Sequence, residues 1–380
     1  IGASNYNIEE DLGWEPQWIL VKGTTWVSDW ILIDNMRGSV SAEPQALLYP
    51  NKADAEAQSS LIVEFTSRGF VQKLTSGNEG IYMAIRRPNK PAEEFEPEEL
   101  FAVVNGSTTD PAFNSGFVTD FNFWRSINSN SASYVSSRLT GTEYLTANDM
   151  AAGVSAPSFT WDFMDGFHSG TRNSSTLSWM WRRAPGFFDV VAFDGGGAGD
   201  VVNHNLGAKP DLLIYKMRSG ANDWIVYNSV DGADYAMFLN KADGREDHFQ
   251  WWNRVEPTDT NFTTGSKAFS GQTYIAYLWA SVPGICDIGS FTGTGADLEI
   301  DCGFTTGARF VLIKRTDDTG HWMYFDTLRG ISASDSPMLK LNETSAQATG
   351  SFIKPHPNGF TVTSNLTGIS GAEYIYMAIA

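Results

Sequence analysis

Four positions in this 380-residue chain pair a basic side chain with an aromatic ring at a nearly constant spacing. The ring follows by eight residues in three pairs and by nine in one: Lys22 with Trp30, Arg125 with Tyr134, Lys216 with Trp224, and Lys314 with Trp322. An exposed ring beside a charged donor could stack on a sugar and bond its hydroxyls. The alternative is a core Trp crossed by a strand-end Lys. Retention at a fixed spacing in every copy favours this structural role.

A second candidate contact for a sugar or a subunit is the stretch 248–253, HFQWWN. If it forms a strand, Phe249 and Trp251 face one way, and Gln250 and Trp252 face the other. One face then belongs to the core, and the other exposes an aromatic ring beside polar groups. We therefore take Gln250 and Trp252 as candidate ligand-binding residues, with cover by a neighbouring copy as the alternative.

Three carboxylates near the two cysteines form a candidate cation site: Asp287, Glu299 and Asp301. A hairpin centred on Thr294 would set Asp287 opposite Asp301, beside Glu299, on an outer face. Opposed like charges destabilise a ladder unless a cation binds there or a bulge bends the strand. The same register makes three pairs on the inner face: Cys286 with Cys302, Ile288 with Ile300, and Ser290 with Leu298. A disulfide is then geometrically possible, although we expect free thiols.

Three further pairs lie three residues apart, each just before a glycine: Asp34 with Arg37, Asn228 with Asp231, and Asp326 with Arg329. This spacing predicts a turn closed by an Asx side chain, with an ion pair in two of the three cases. An exposed pair of this kind contributes less than about 1 kcal/mol. A calcium or sugar site would need more oxygen atoms nearby.

Enzyme motifs are missing from the sequence. There is no P-loop, no HExxH zinc helix and no GxSxG nucleophile elbow, and the five histidines never pair at metal-ligand spacing. We therefore expect a non-enzymatic protein without a cofactor. A carboxylate pair assembled only by folding, as in a glycan depolymerase, is the enzymatic alternative.

The basic and aromatic pairs mark a unit that occurs four times. Its clearest copies are residues 18–38, 212–232 and 310–330, and 121–141 is degenerate. Each copy later closes on an apolar or alternating run, and Pro-containing junctions follow the first three. Cutting at these junctions gives segments 1 to 4, which are residues 1–93, 94–186, 187–283 and 284–380. Each has about the size of one domain, and the short junctions predict a stiff array.

Short runs of β-branched and aromatic residues, bounded by Gly, Asn, Asp and Ser, predict strands nearly throughout. The continuously apolar runs 212–215 and 310–313 are typical of central strands covered on both faces. The predicted fold is all-β, a tandem array of four antiparallel β-sandwich repeats of jelly-roll or lectin-like type. Only twelve residues precede Gly13, whereas later copies carry roughly twenty at this place. We therefore expect segment 1 to be N-terminally incomplete, its first strand pair missing or supplied from upstream.

Composition excludes several partners. The net charge is −18, the pI is about 4.6, and the 26 basic residues are scattered singly, so the sequence predicts no nucleic-acid groove. No apolar run approaches the roughly 18 residues of a membrane span, so no membrane insertion is expected. Two cysteines in 380 residues exclude a disulfide scaffold. The 42% of hydrophobic residues can fill real cores.

Three phrases carry a family resemblance: RAPGFFDVVAF at 183–193, HNLGAKPDLLIYK at 204–216, and YIAYLWA at 274–280. They resemble a repeat found in tandem in phage and prophage virion proteins of tail-fibre or surface-appendage type, often next to laminin-G or concanavalin-A-like modules. The resemblance covers essentially the whole chain, and segment 2 departs most from it. It implies a β-sandwich protein of a tailed-phage virion, assembled in the host cytoplasm. That compartment is reducing, so the cysteines would stay thiols.

The main hypothesis is therefore a virion structural and adhesion protein that contacts host-cell glycans. Its other expected partners are virion proteins and further copies of itself, with a trimer as the expected state. A purely structural capsid-decorating or tail-shaft protein is the second hypothesis, and a glycan depolymerase is the third. If the structural role of the recurrent pairs holds, Trp224 and Trp322 should be buried at equivalent places.

Overall fold

Antiparallel strands dominate the computed structural model, which describes residues 5–37, 45–60, 62–75, 78–367 and 369–380. The content is 42% strand and 4% helix, which confirms the prediction of an all-β, antiparallel fold. Within the described ranges, no helix is long and apolar enough to cross a bilayer.

The strands of segments 1 and 2 begin and end as follows. In segment 1 they are β1 (Asn5–Asp11), β2 (Pro16–Gly23), β3 (Ile31–Asp34), β4 (Gln45–Leu47), β5 (Ala57–Ser59), β6 (Val63–Thr66), β7 (Gly69–Thr75) and β8 (Gly80–Arg86). In segment 2 they are β9 (Phe101–Asn105), β10 (Phe113–Asn114), β11 (Phe121–Ser126), β12 (Tyr134–Ser137), β13 (Glu143–Thr146), β14 (Val154–Ser155), β15 (Phe159–Thr160), β16 (Gly166–Ser169) and β17 (Thr176–Trp181). Short 3-10 turns lie at Ala92–Glu94, Pro97–Glu99 and Arg138–Thr140.

Segments 3 and 4 each add one short helix. Segment 3 contains β18 (Phe188–Asp194), β19 (Val201–Asn203), β20 (Leu212–Met217), β21 (Ile225–Asn228), β22 (Tyr235–Phe238), β23 (Glu246–Asp247), α1 (Phe249–Trp252), β24 (Asn261–Thr263) and β25 (Thr273–Trp279). Segment 4 contains β26 (Cys286–Thr292), β27 (Leu298–Asp301), β28 (Phe310–Arg315), β29 (Met323–Asp326), β30 (Leu339–Lys340), β31 (Ile353–His356), β32 (Gly359–Val362), α2 (Ser364–Thr367) and β33 (Glu373–Ile379).

One strand order recurs in the larger sheets. The orders are β14-β13-β12-β11-β17-β9 in segment 2, β18-β25-β20-β21-β22-β23 in segment 3, and β26-β33-β28-β29-β30 in segment 4. Segment 1 has β8-β2-β3. Each segment also holds a smaller sheet: β1-β7-β6, β10-β16-β15, β19-β24 or β27-β32-β31. In every segment the closing strand lies beside the central strand that carries the recurrent Lys or Arg near its end.

The central strands β20 and β28 begin with apolar runs, 212–215 and 310–313, because both faces of these strands are covered. Leu213 and Tyr215 pack with the smaller sheet of segment 3, in a core that includes Phe262 of β24. Leu212 and Ile214, on the other face, belong to a core shared between segments. The prediction of central strands covered on both faces is confirmed, since every residue of β20 is buried.

Segment 1 contains more of its first strand pair than the sequence predicted. β1 pairs with β7 along its whole length, from Asn5 opposite Thr75 to Asp11 opposite Gly69. The strand is therefore present in the chain, and this part of the prediction is wrong. On the outer edge of β8, where segments 2 to 4 place β9, β18 and β26, the described residues of segment 1 supply no strand.

The predicted hairpin around Thr294 does not form. Cys286 lies opposite Ile379 in the pairing of β26 with β33, and Ile300 lies opposite Phe360 in the pairing of β27 with β32. The two strands thus belong to different sheets, and the predicted register is wrong. The physical reason is that β26 pairs with β33 at seven positions. A local hairpin of β26 with β27 would leave these seven residues of β33 without a partner on this edge. Both cysteines are free and buried.

Candidate functional site

The basic residue of each recurrent pair stands near the end of its central strand, and in segments 2 to 4 its side chain is fully buried. Lys216 Nζ donates to the carbonyl of Met150 at 3.2 Å. Lys314 Nζ donates to the carbonyls of Ala242 and Asp243 at 3.3 and 2.8 Å. These acceptors lie in the preceding segment, in a loop that follows β13 or β22. Each lysine therefore joins its own segment to the one before it.

Arg125 closes this pattern into a ring, because its acceptors lie in segment 4 rather than in segment 1. Its guanidinium donates to four carbonyls at 2.7–3.2 Å, those of Lys340, Glu343, Thr344 and Ser345. Segment 2 thus contacts segment 4, segment 4 contacts segment 3, and segment 3 contacts segment 2. A head-to-tail contact makes a ring whenever its rotation closes, and here it closes after three segments.

The tryptophans add a second bond to the same contact. Trp224 Nε1 donates to the carbonyl of Thr146 at 2.8 Å, and Trp322 Nε1 donates to that of Phe238 at 2.9 Å. Both side chains are only 1% exposed, which confirms that they are buried at equivalent places and leaves neither ring open to a sugar. We call this contact, a basic residue and a Trp bound to backbone carbonyls of another segment, the inter-segment clasp.

The clasp differs in one respect from the predicted role of these residues. The sequence predicted a Trp and a Lys that hold their own copy together, whereas the structure uses them to hold one copy to another. In segment 2 the ring is Tyr134, which has no indole N–H. Arg125 makes four bonds there, in place of the lysine and Trp bonds of the other segments.

The centre of the ring is an apolar core. It contains a void of about 40 Å³, lined by side chains from segments 2, 3 and 4, including Phe121, Trp181, Leu212, Tyr277, Phe310 and Met377. Small-molecule sites have volumes of roughly 300–1,000 Å³ and carry some polar groups. The ring centre is therefore a packed interior and not a ligand site.

Burial lowers the pKa of both clasp lysines. It lowers the pKa of Lys216 to about 8, against a smaller upward effect of Asp149. It also lowers the pKa of Lys314 to about 8, with Asp243 acting in the opposite direction. Between pH 8 and the unfolded pKa near 10.5, the unfolded chain therefore binds more protons at these positions than the native chain does, so the contribution of each lysine to stability rises with pH in this window.

This linkage predicts how Lys314→Met compares with the wild type. The wild type gains stability from Lys314 as the pH rises from 7.5 to 9.5, and the variant does not. The free-energy difference between them should therefore shift in favour of the wild type by about 1–2 kcal/mol. Urea unfolding at both pH values measures the difference, with Lys267→Met, at a partly exposed lysine, as the control. A difference independent of pH would contradict the expectation.

An open groove of about 630 Å³ lies between segments 3 and 4. Its lining combines charged, hydroxyl, aromatic and aliphatic side chains: Val230, Asp231, Tyr235, Arg245, Ser290, Phe291, Thr292, Thr316, Glu373, Tyr374 and Ile375. The aromatic side chains do not offer a stacking platform as a pair, because Phe291 and Tyr374 stack on each other at 4.9 Å and are both buried. The groove therefore presents mainly polar and charged groups.

Arg245 is the central charge of this groove. Its Nη1 lies 2.7 Å from a carboxylate oxygen of Asp231 in segment 3 and 2.7 Å from one of Glu373 in segment 4. Burial by itself lowers the pKa of Arg245, but the two carboxylates raise it by more, so the guanidinium stays charged. Carboxylate and guanidinium groups side by side supply both acceptors and donors for hydroxyl groups. No sequence pattern indicated this trio, since Glu373 is remote from Arg245 in the chain.

The predicted ligand residues Gln250 and Trp252 lie elsewhere, on helix α1. The stretch forms one helical turn and not a strand, so the predicted alternation of faces is wrong. Trp252 is fully buried, with its ring against Tyr215 and Tyr227, which removes it from contact with a ligand. Phe249 is the exposed aromatic residue of this turn, and Gln250 is partly exposed. Burial of two adjacent tryptophans explains the helix, because a strand would turn them to opposite sides.

The predicted cation site is not assembled. Asp287 belongs to β26 and accepts a hydrogen bond from the Tyr376 hydroxyl at 2.5 Å. Glu299 and Asp301 are exposed on β27, in the other sheet, where Asp301 accepts from the backbone N–H of Gly303. Throughout the described part of the chain, no three His, Cys, Asp or Glu side chains come together to hold a metal ion. Only the hairpin register would have brought the three carboxylates together, and that register does not form.

A buried ion network, which the sequence did not indicate, joins segments 1, 2 and 3. Arg183 makes a two-pronged pair with Glu15, at 2.7 and 2.6 Å. Its Nε also donates to Asp189 at 2.8 Å. Burial by itself raises the pKa of Asp189, but Arg183 and Arg87 lower it by more. The six-residue spacing of Arg183 and Asp189 around a Pro-Gly turn is a local signal, whereas Glu15 lies far away in the chain.

Together, the sheets, the ring of clasps and the ion network define an all-β protein whose recurrent residues form contacts between its segments. The chain belongs to the family described as Domain of unknown function (DUF7483), whose model matches residues 11–87 and 114–380. These two ranges include parts of all four segments. Neither the comparison with curated proteins nor the comparison with solved structures found a match.

Proposed function

We propose that the chain is a tandem array of four antiparallel β-sandwich repeats with boundaries at 1–93, 94–186, 187–283 and 284–380. The recurrence of one strand order in the larger sheets supports this division, as does the smaller sheet that accompanies each of them. The register supports it too, because Leu20 lies opposite Met83 in segment 1 just as Leu312 lies opposite Met377 in segment 4.

The proposed function is that of a non-enzymatic structural and adhesion protein of a tailed-phage virion. The observation that carries it is the inter-segment clasp. The residues that recur along the chain, Arg125, Lys216 and Lys314, bind carbonyls of other segments and close a ring. The recurrent residues thus hold the segments together in one rigid body, and a surface appendage requires such rigidity. The resemblance of the 183–193 and 204–216 phrases to virion repeats points in the same direction.

Within this proposal, the groove around Arg245 is the contact for host-cell glycans. Its volume of about 630 Å³ suits a short oligosaccharide. Asp231 and Glu373 hold the guanidinium of Arg245 in place, so donors and acceptors are fixed before a ligand arrives. Preorganised polar groups lose less free energy on binding than mobile ones do.

A glycan array with the purified chain tests this function, and Arg245→Ala tests the site. A hydrogen bond to a charged group contributes about 1.5–3 kcal/mol, so we expect the variant to bind roughly 10–100-fold more weakly. Arg254→Ala is the matched control, because this exposed arginine also pairs with two carboxylates and does not line the groove. Equal binding by all three proteins would contradict the assignment of the groove.

A purely structural capsid-decorating or tail-shaft role is the second candidate. The observation that favours it is the burial of Phe291 and Tyr374, which leaves the groove with little open aromatic surface for a sugar ring. Antibody labelling of intact particles, combined with the glycan array, separates the two functions. Tight association with the particle and no glycan binding at high concentration would favour the structural role. Absence from the particle would contradict both functions.

A further inference from the structure

The larger sheet of segment 1 exposes an apolar face that the other segments bury. Ile81, Met83 and Ile85 on β8 are 54%, 52% and 52% exposed. On β8 and β2 the register sets Ile85 opposite Trp18, Met83 opposite Leu20, and Ile81 opposite Lys22. On β33 and β28 it sets Ile379 opposite Phe310, Met377 opposite Leu312, and Ile375 opposite Lys314. The three exposed residues of β8 therefore correspond to Ile379, Met377 and Ile375.

In segment 4 these equivalent positions face the shared core of the ring. Ile375, Met377 and Ile379 are 4%, 4% and 0% exposed there. The same face is buried in segments 2 and 3, where it carries residues such as Trp181 and Tyr277. Segment 1 thus has the surface that builds the ring, but the described residues of the chain do not cover it.

Segment 1 also carries the donor half of a clasp. Lys22 corresponds to Lys216 and Lys314, and its Nζ bonds to the carbonyl and hydroxyl of Ser28 in its own segment. Among the described contacts, Lys22 makes no bond to a carbonyl of another segment. Trp30, the equivalent of Trp322, is partly exposed rather than buried.

The acceptor half is present as well, in the loop after β4. In segment 3 the loop that receives Lys314 and Trp322 is shaped by Asn240, which binds the backbone N–H of Trp224 and a carboxylate oxygen of Asp223. Asn51 makes the same two bonds in segment 1, to the backbone N–H of Trp30 and to Asp29. An ion pair of Lys52 with Asp29 matches that of Lys241 with Asp223. The loop is therefore preformed.

The positions of the acceptor carbonyls follow from this match. In segment 3 the carbonyls that receive Trp322 and Lys314 belong to residues two before and two after Asn240. The equivalent residues in segment 1 are Tyr49 and Ala53, and Ala53 is exposed. Segment 1 thus has a donor edge, an acceptor edge and an apolar face in the arrangement that closes the ring of segments 2 to 4.

We propose that the first segments of three copies of this chain close a second ring of the same kind, so that the protein is a homotrimer. Lys22 and Trp30 of each copy bind the Ala53 and Tyr49 carbonyls of the next, and the three β8 faces form a common apolar core. Within the chain this head-to-tail contact closes after three segments, so the same contact between identical copies closes after three copies. Identical chains suffice, because segment 1 supplies both edges. The inference rests on the proposed equivalence of the four segments.

The test is the mass of the chain in solution, measured by light scattering across a wide concentration series. The expected mass is three times the 41.7 kDa of one chain. A variant with Ile81→Glu and Met83→Glu should fall threefold in mass, to one chain. It should keep its circular dichroism spectrum, because both positions are exposed in the single chain. Ile369→Glu is the matched control, since Ile369 has the same 54% exposure as Ile81 but lies in segment 4, and it should leave the trimer intact.

Several outcomes would overturn the proposal. A monomer or a dimer at every concentration would exclude the trimer, and a monomer is also the result expected if further segments of a longer polypeptide cover the β8 face. A trimer that survives Ile81→Glu with Met83→Glu would place the interface elsewhere. The glycan array and particle labelling report on the groove and on location, so they can fail independently of this measurement.

Discussion

Trp322→Ala is expected to lower the free energy of unfolding by about 3–5 kcal/mol, the range found when a buried Trp is truncated. Trp322 is 1% exposed, so the deletion leaves a cavity between segments 3 and 4. It also removes the donor to the Phe238 carbonyl. Because the ring is closed, a weakened clasp between segments 3 and 4 also removes support from the other two clasps. Chemical denaturation followed by circular dichroism measures the loss.

Trp322→Phe separates the two contributions to this effect. The phenyl ring keeps much of the volume but cannot donate to the Phe238 carbonyl, so we expect a smaller loss, about 1–3 kcal/mol, dominated by the unpaired carbonyl. If Trp322→Ala cost less than about 1 kcal/mol, the clasp would not hold the segments together. The structural role of the recurrent pairs would then lose its support.

Glu15→Ala is expected to cost about 3–5 kcal/mol, the amount typical of breaking a buried ion pair by removing one partner. Glu15 receives both terminal nitrogens of Arg183 and lies 3.6 Å from Arg87. Without Glu15, two buried guanidinium groups share the charge of Asp189. Arg68→Ala is the matched control, because Arg68 and Asp11 form an exposed pair in the same segment, and an exposed pair contributes about 0–1 kcal/mol.

The same network predicts the direction of its pH dependence. The pKa of Asp189 is lower in the native protein than in the unfolded chain, because Arg183 and Arg87 outweigh the effect of burial. The stability from this carboxylate is therefore present above the unfolded pKa, near 4, and is lost as the pH falls through the native value. Acid unfolding of Glu15→Ala should begin at a higher pH than that of the wild type. Identical acid transitions and a loss below about 1 kcal/mol would show that the network does not join the segments.

In the candidate site, the features set by nearby residues were predictable from the sequence, whereas the features set by remote residues were not. Asp326 with Arg329, and Asn228 with Asp231, form the predicted turns, because three-residue spacing is a property of the local chain. Burial of Trp322 was predictable from its repetition. The groove around Arg245 was not, because Glu373 reaches it from the closing strand of another segment. The hairpin around Thr294 failed for the same reason, since pairing of β26 with the remote β33 displaced a plausible local register.

The sequence by itself determined the all-β class, the four-fold recurrence of the unit and the burial of Trp224 and Trp322. These follow from short-range patterns of apolar, β-branched and turn residues. Only the tertiary structure decided what the recurrent residues bind. Lys22 and Lys314 stand at the same place in their units, yet Lys314 reaches the carbonyls of segment 3 and Lys22 stays within segment 1. A side chain's partner depends on which segment packs against its own, and no pattern within one segment encodes that choice.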